Sequence, residues 1–335
     1  MISAMHTPPA LLLDRTTVAH LLDLDECIAA VERAFSDHAH GRTLAPALMH
    51  GDGIGGEFHI KGGGLHEPRP IYACKVNSGF FQNRARFGLP AIQGLILLYD
   101  AENGIPLAVM ESATVTRLRT GAATAVAARH LALPDAGIAC ICGSGVQAAI
   151  QLRSLARVRP LREVRIWSRT PQRAVEFAAT MRAELALPVE AFARLEDATR
   201  GAELIVTCTP AKAALLRPEH VRPGAFVAAV GADSPDKIEI DPALMARAAV
   251  VCDLTAQCCE VGDLHHALAA GTMRLDDVRA ELGAVIAGFA PGRKSADEIV
   301  LFDSTGTALQ DAAAAVLVYE RAIAAQRGTR FGFWS

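Results

Sequence analysis

The stretch "GIACICGSGVQAAIQL", residues 137–152, limits the fold more than any other part of the chain. A short apolar run ends in Gly143-Ser144-Gly145, and an alanine-rich helical pattern follows at once. A strand that breaks at a glycine turn and re-enters as a helix is half of a βαβ unit. Gly143 would permit the tight turn, and Gly145 would let the backbone approach a pyrophosphate at the helix N-terminus. Val146 and Gln147 open that helix, and Ala148 takes the third, close-packing position. A glycine turn alone is weak evidence of a dinucleotide, so its surroundings must decide.

Those surroundings alternate. After "GIACIC" come "EVRIWS", "ELIVTCT", "AFVAAVG", "AVVCD" and "EIVLFD", with helical runs such as "PQRAVEFAATMRAEL" between them. Near-continuous apolar strands alternating with helices predict a doubly wound parallel sheet of the Rossmann type. The chain upstream differs. Residues 17–40 carry apolar positions at helical spacing up to Gly41. Short period-two segments follow, among them "GEFHIKGGG" and "IYACKVNSG"; "GLILLYD" and "IPLAVME" flank the hairpin loop "AENG". This part reads as an α+β domain with an antiparallel or mixed sheet. "SATVTRLRTGAATAVAARHLAL" then predicts a long helix stopped by Pro134. The expected α/β organisation is a substrate and dimerisation domain, residues 1–115 with 312–335, and a Rossmann domain, residues 116–311.

Composition excludes several classes. With 335 residues, 51% hydrophobic and 21% charged, the chain has the make-up of a soluble globular protein with a sizeable core. A net charge of −3 supplies no basic field for nucleic acid or a membrane surface, and 5% aromatics leaves little for base stacking. No apolar run reaches the roughly 20 residues of a membrane span, and the N-terminus lacks signal-peptide character. The eight cysteines show no C-x-x-C and no zinc-ligand spacing. Reduced thiols and a cytoplasmic location are expected. "DLHHALAAG" gathers Asp263, His265 and His266, but adjacent histidines do not share a helix face, and no metal site is expected there.

The end of the second Rossmann strand selects the cofactor. About 20 residues past the glycines, NAD sites place an acid on the ribose hydroxyls. Here "EVRIWSRT" puts Ser168 at that position, followed by Arg169 and Thr170. A carboxylate would repel a 2′-phosphate; a hydroxyl and a guanidinium would bind it. NADP(H) is therefore expected over NAD(H). Thr209, which closes "ELIVTCT", is assigned to the cofactor as well.

Together, "KVNSGFFQN", "GLPAIQGLILLYDAENGIPLAVMES", "TRLRTGAATAVAARHLA", "CGSGVQA", "VGADSPDKIEID" and "VLFDSTGTALQD" resemble the ornithine cyclodeaminase/mu-crystallin family, which includes archaeal-type alanine dehydrogenases and ketimine reductases. The resemblance runs from about residue 18 to the C-terminus. It implies a homodimer built through the first domain's sheet, and a small amino or imino acid as substrate. It implies that Lys75 approaches the substrate carboxylate and reacting centre, that Arg119 pairs with the carboxylate, and that Asp233 serves the substrate nitrogen. It places Ser304 near the nicotinamide. The chemistry agrees: a carboxylate needs a fixed cation, and a titratable group must move a proton at nitrogen while hydride moves at carbon.

One departure stands out. Members of the family commonly carry a further arginine just after a proline; the equivalent segment here is "LAPALMH", with Leu48 at that place. The expectation is that Lys61, with His59, supplies the missing cation from the next strand. The expected activity is NADPH-dependent reduction of small, cyclic 2-imino acids such as Δ1-pyrroline-2-carboxylate, reversible as amino-acid dehydrogenation. The alternatives are ornithine cyclodeamination and a mu-crystallin-like binding role.

Overall fold

A computed structural model describes residues 8–67 and 69–333. The chain forms two compact units. One runs to Arg119 and resumes at Thr307; the other is Thr120–Gly306. The sequence had placed residues 116–119 and 307–311 in the Rossmann part, whereas contacts assign both to the first unit.

The first unit is built on a seven-stranded mixed sheet. Its strands are β1 (Ala10–Leu13), β2 (Thr43–Gly53), β3 (Gly56–Leu65), β4 (Ile71–Gly79), β5 (Ile92–Asp100) and β6 (Pro106–Glu111), and the segment Thr329–Phe331 adds to the edge beside β1. From β2 to β6 every pairing is antiparallel; β1 joins β6 in parallel. The expected single helix over residues 17–40 is two, Arg15–Leu21 and Leu24–Ala39. The break has a local cause. Asp23 leaves the helical conformation, and its carboxylate accepts from the Asp25 and Glu26 amides, capping a new helix.

The alternation along β4 decides which side chains are hidden. Ile71, Ala73, Lys75 and Asn77 are buried, and the residues between them are half-exposed. The helix Ala308–Ala324 covers that face, packing on β2 through β5. Its run of alanines lets it lie close, and Gly63 on β3 makes room: a Cβ there would stand 2.9 Å from the Ala308 Cβ.

The second unit holds an eight-stranded, wholly parallel sheet. Its strands are β7 (Ile138–Cys142), β8 (Glu163–Trp167), β9 (Val189–Phe192), β10 (Leu204–Thr207), β12 (Phe226–Ala229), β14 (Ala249–Cys252), β15 (Ala280–Glu281) and β16 (Val300–Asp303); β11 (Lys212–Leu216) and β13 (Ile238–Ile240) form a separate pair. The sheet order is β15-β14-β16-β12-β10-β7-β8-β9. β10, β12, β14 and β16 are buried at every position, as strands covered on both faces must be. The order reverses direction at β7, beside β10, so the glycine turn sits at the topological switch point, where such sheets bind ligands.

Candidate functional site

In the first unit the sheet register assembles a cluster of bases. Leu48, Lys61 and Lys75 lie directly opposite one another on β2, β3 and β4. Lys61 and Lys75 are 4% and 2% exposed. Arg119 comes from the helix Ser112–Leu131 and is 5% exposed. Arg117, two residues earlier, is only half-buried.

One acid receives these bases. Asp311, on the covering helix, places Oδ2 2.6 Å from Lys75 Nζ and accepts at Oδ1 from Arg119 Nε at 2.9 Å. Arg119 Nη1 also donates to Gln310 Oε1 at 2.9 Å. Burial pushes the Asp311 carboxyl up, but Lys75, Arg119 and Lys61 overcome that and hold it below its usual range. Burial acts on Lys75 in the other sense. With Arg119 and Lys61 adding repulsion, it outweighs the Asp311 charge and brings the ammonium down to about 7. Lys75 is thus a buried amine poised to change charge near neutrality.

Asp311 and Gln310 were not singled out from sequence, although Asp311 closes the quoted motif "VLFDSTGTALQD". The available signal was an acid near the start of an alanine-rich helix, opposite a triple glycine. His59 lies one same-face position from Lys61 and is 8% exposed; its Nε2 is 3.1 Å from Glu57 Oε1. The structure therefore gives His59 an acid partner of its own.

In the second unit the predicted cofactor residues stand at the carboxyl ends of parallel strands. Gly143 follows β7 with φ +143°, and a Cβ there would meet Cys208 Sγ at 2.8 Å. Gly145 caps the helix Val146–Val158, and a Cβ on it would meet nothing within 4 Å. Open space above the second glycine, with helix amides below, is what a pyrophosphate needs. Ala148 is fully buried, as close helix packing requires. Ser144 and Ser168 meet through their hydroxyls at 3.0 Å, linking the glycine turn to the end of β8. Arg169 and Thr170 are exposed beside them, and so is Arg173, one turn into the helix Pro171–Leu185. These residues fit a dinucleotide. Arg173 was not anticipated; its spacing from Arg169 on the helix entry was the available signal.

Thr209 and Ser304 follow β10 and β16. Thr209 donates from its amide and hydroxyl to Glu239 Oε1, both at 2.7 Å, and Glu239 Oε2 accepts from the Gly231 amide at 2.8 Å. Glu239 thereby ties together two strand-end loops. Burial, then the neighbouring Asp263, push its carboxyl up to about 7. Ser304 is buried and held by its amide to the Ala229 carbonyl. Asp233 lies in the loop after β12, where Lys237 Nζ donates to its Oδ1 at 2.6 Å. Lys237 is itself buried and was missed from sequence.

The "DLHH" segment serves structure. Asp263 Oδ1 accepts from the Glu239 and Ile240 amides, His266 Nε2 meets the Lys237 carbonyl and His265 Nδ1 the Cys259 carbonyl. Cys252, Cys258 and Asp303 bring potential ligand atoms within 4.8 Å of one another, a grouping that sequence spacing did not suggest because it joins β14, the next helix and β16. The Cys258 thiol donates to Asp253 Oδ1 and to the Asp303 carbonyl, and burial pushes it far up. All eight cysteines are unbridged. Among the described residues no helix is long and apolar enough to cross a membrane.

Comparison with known proteins bears on the family and the fold. The sequence profile of the ornithine cyclodeaminase/mu-crystallin family matches residues 10–326. The iminosuccinate reductase of Paracoccus denitrificans is 36% identical over 91% of this chain and 94% of its own length. An archaeal alanine dehydrogenase dimer with bound NAD superposes with a TM-score of 0.92 at 33% identity, covering 97% of this chain and 99% of that one. The Thermococcus litoralis Δ1-pyrroline-2-carboxylate reductase, in complex with NADH and L-proline, gives a TM-score of 0.90 at 31% identity, covering 96% and 99%.

Proposed function

Because this chain belongs to the ornithine cyclodeaminase/mu-crystallin family, we propose that it is an NADPH-dependent reductase of small 2-imino acids, with cyclic imines such as Δ1-pyrroline-2-carboxylate as the first candidates. The observation that carries this reading is the buried set of Lys75 and Arg119 on a single carboxylate, Asp311. Buried cations in excess of buried anions are costly unless an anion joins them. A 2-imino acid brings that anion beside the carbon to be reduced.

Imine, NADPH and one proton become amine and NADP+. The bound nicotinamide supplies the hydride. Arg119, fixed by Asp311 and Gln310, orients the carboxylate. Lys75 holds it in the ammonium form, so reduction weakens as pH rises through about 7. Asp233, which accepts from Lys237, takes the role of passing the proton to nitrogen through water. Ser304 would lie near the nicotinamide, Thr209 would contact the cofactor, and Gly143, Ser144, Gly145, Val146 and Gln147 would hold the pyrophosphate.

The cofactor preference rests on this chain's own residues, since the two similar structures hold NAD or NADH. Ser168 in place of an acid, with Arg169, Thr170 and Arg173 exposed beside it, favours a 2′-phosphate. The protein is proposed to work as a cytoplasmic homodimer. The uncovered face of β2 to β5 exposes Met49 at 57%, Phe58 at 37% and Leu95 at 51%, apolar surface suited to a second copy.

The test is a panel of cyclic and linear 2-imino acids with NADPH or NADH, with ammonia measured in parallel. The proposal expects one NADPH consumed per imine, no ammonia and a weaker rate with NADH. Ammonia from ornithine without net cofactor turnover would make it a cyclodeaminase. Saturable NADPH binding without turnover of any imine would make it a binding protein.

A further inference from the structure

We infer that Gln310, with Thr307 beside it, is a carboxylate-binding residue: the two donate to the imino-acid carboxylate that Arg119 holds. The inference rests on the reductase reading and deepens it.

The first argument is a local rule that the chain spells out and does not use. "TALQ", residues 307–310, has the form of a capping box, with threonine at the N-cap and glutamine three residues on. In such a box the two side chains satisfy the free amides of the helix start. Thr307 does occupy the N-cap of the helix Ala308–Ala324, yet its side chain makes no cap hydrogen bond. Gln310 offers its oxygen to Arg119 instead. From Thr307 to Asp311 every residue is at most 1% exposed. A buried helix start without its caps is a place for a ligand's acceptor, and a broken local rule of this kind marks function.

Polarity is the second. A guanidinium only donates, so Gln310 must turn Oε1 to Arg119 Nη1, which it meets at 2.9 Å. The amide nitrogen is what remains. Gln310 Nε2 is buried and, among the described residues, has no hydrogen-bond partner; the same holds for Thr307 Oγ1. Buried donors left unmade are costly. Oε1 and Nε2 share one carbon, so the spare donors of Gln310 sit one amide's breadth from the Arg119 fork. A carboxylate, which only accepts and has two oxygens, can bridge them. The positive end of the helix dipole favours the same charge.

Place is the third. The next residue, Asp311, is the acid that Lys75 and Arg119 share. Gly63 admits the start of this helix against β3, where its Cβ would crowd Ala308. The spare donors are therefore carried on the same helical turn as the acid of the basic cluster. A carboxylate seated there keeps its neighbour, the imine carbon, at that cluster.

The experiment compares Gln310→Glu, Gln310→Met and Thr307→Val with the parent, using Δ1-pyrroline-2-carboxylate and its carboxamide, with denaturant unfolding as the check on each fold. Gln310→Glu keeps an oxygen for Arg119 and replaces the spare donors by an acceptor that repels a carboxylate. If Gln310 only steadied Arg119, this variant would match the parent. It should instead raise KM for the carboxylate about 10- to 100-fold and spare the carboxamide, whose own nitrogen donates, to within about threefold. Gln310→Met should raise the carboxylate KM about 10-fold with the same selectivity. Thr307→Val should raise it about three- to tenfold without loss of stability, because the hydroxyl caps nothing. An unchanged carboxylate KM in Gln310→Glu, or equal losses with carboxylate and carboxamide in the Gln310 variants, overturns the inference and leaves the reductase reading intact. A parent that turns over no imino acid overturns the reading itself. Should Gln310→Glu not fold, Gln310→Met decides by the same ratio; failure of both to fold marks a structural tie and also overturns the inference.

Discussion

The two units bury charge in opposite ways. The first hides three bases, Lys61, Lys75 and Arg119, around one acid. The second hides four acids, Glu239, Asp253, Asp263 and Asp303, each at most 1% exposed. These acids are satisfied mainly by backbone amides and hydroxyls. Asp303 accepts from the Leu264 amide, Asp253 from the Gly306 amide and the Thr305 hydroxyl, and Asp263 from two amides of β13. Burial and mutual repulsion push Asp263 and Asp303 well above the ordinary carboxylate range. The acids can therefore take protons and serve as ties between strand ends. Among the bases, burial brings Lys75 down to about 7, so it too can change charge near neutrality. Buried bases gathered on one acid point to an anionic guest; buried acids tied to backbone amides point to architecture.

The difference can be broken from either side. The largest effect is expected at Lys75. Lys75→Met should lower kcat/KM for imine reduction by about a thousandfold or more while leaving NADPH affinity unchanged, which steady-state kinetics and a binding titration would check. Asp311→Asn comes next. It leaves buried bases without their acid and should cost about 3–5 kcal/mol of stability, read from denaturant unfolding. Asp263→Asn is expected to be milder and of a different kind. The native carboxyls of Glu239, Asp263 and Asp303 bind protons more tightly than unfolded ones, whose values lie near 4. Their contribution is complete below about 4 and is lost as pH rises through about 7, the value for Glu239. Lys75 has the reverse sign: its folded value of about 7 lies below the unfolded one near 10.5, so its contribution is present above that and is lost as pH falls through about 7. Melting curves of Asp263→Asn between pH 4 and 8 should show a flatter decline than the parent, with activity at neutral pH retained.

What the sequence disclosed follows from how local each signal is. The glycine turn, the parallel strands and the 168–170 segment are written in consecutive residues, so they were legible. Lys75 and Arg119 came from motif resemblance. Asp311 stood in a quoted motif without a role, because its meaning depends on Gly63 admitting the helix Ala308–Ala324 against β3. Lys237 was hidden in the same way beside Asp233. The helix break at Asp23 was overridden by a strong apolar periodicity on both sides of it. The cluster at Cys252, Cys258 and Asp303 joins positions too far apart in sequence for any spacing rule.

The most direct measurement of the central claim is the pH profile of kcat/KM for imine reduction in the parent, Lys61→Met and Asp263→Asn. The account predicts a fall in activity through an apparent pKa near 7 in the parent, from Lys75. Removing the neighbouring positive charge in Lys61→Met should move that limb to higher pH, and Asp263→Asn should leave it in place. A limb that moves with Asp263→Asn and ignores Lys61→Met would contradict the assignment of the basic cluster to substrate and the buried acids to structure.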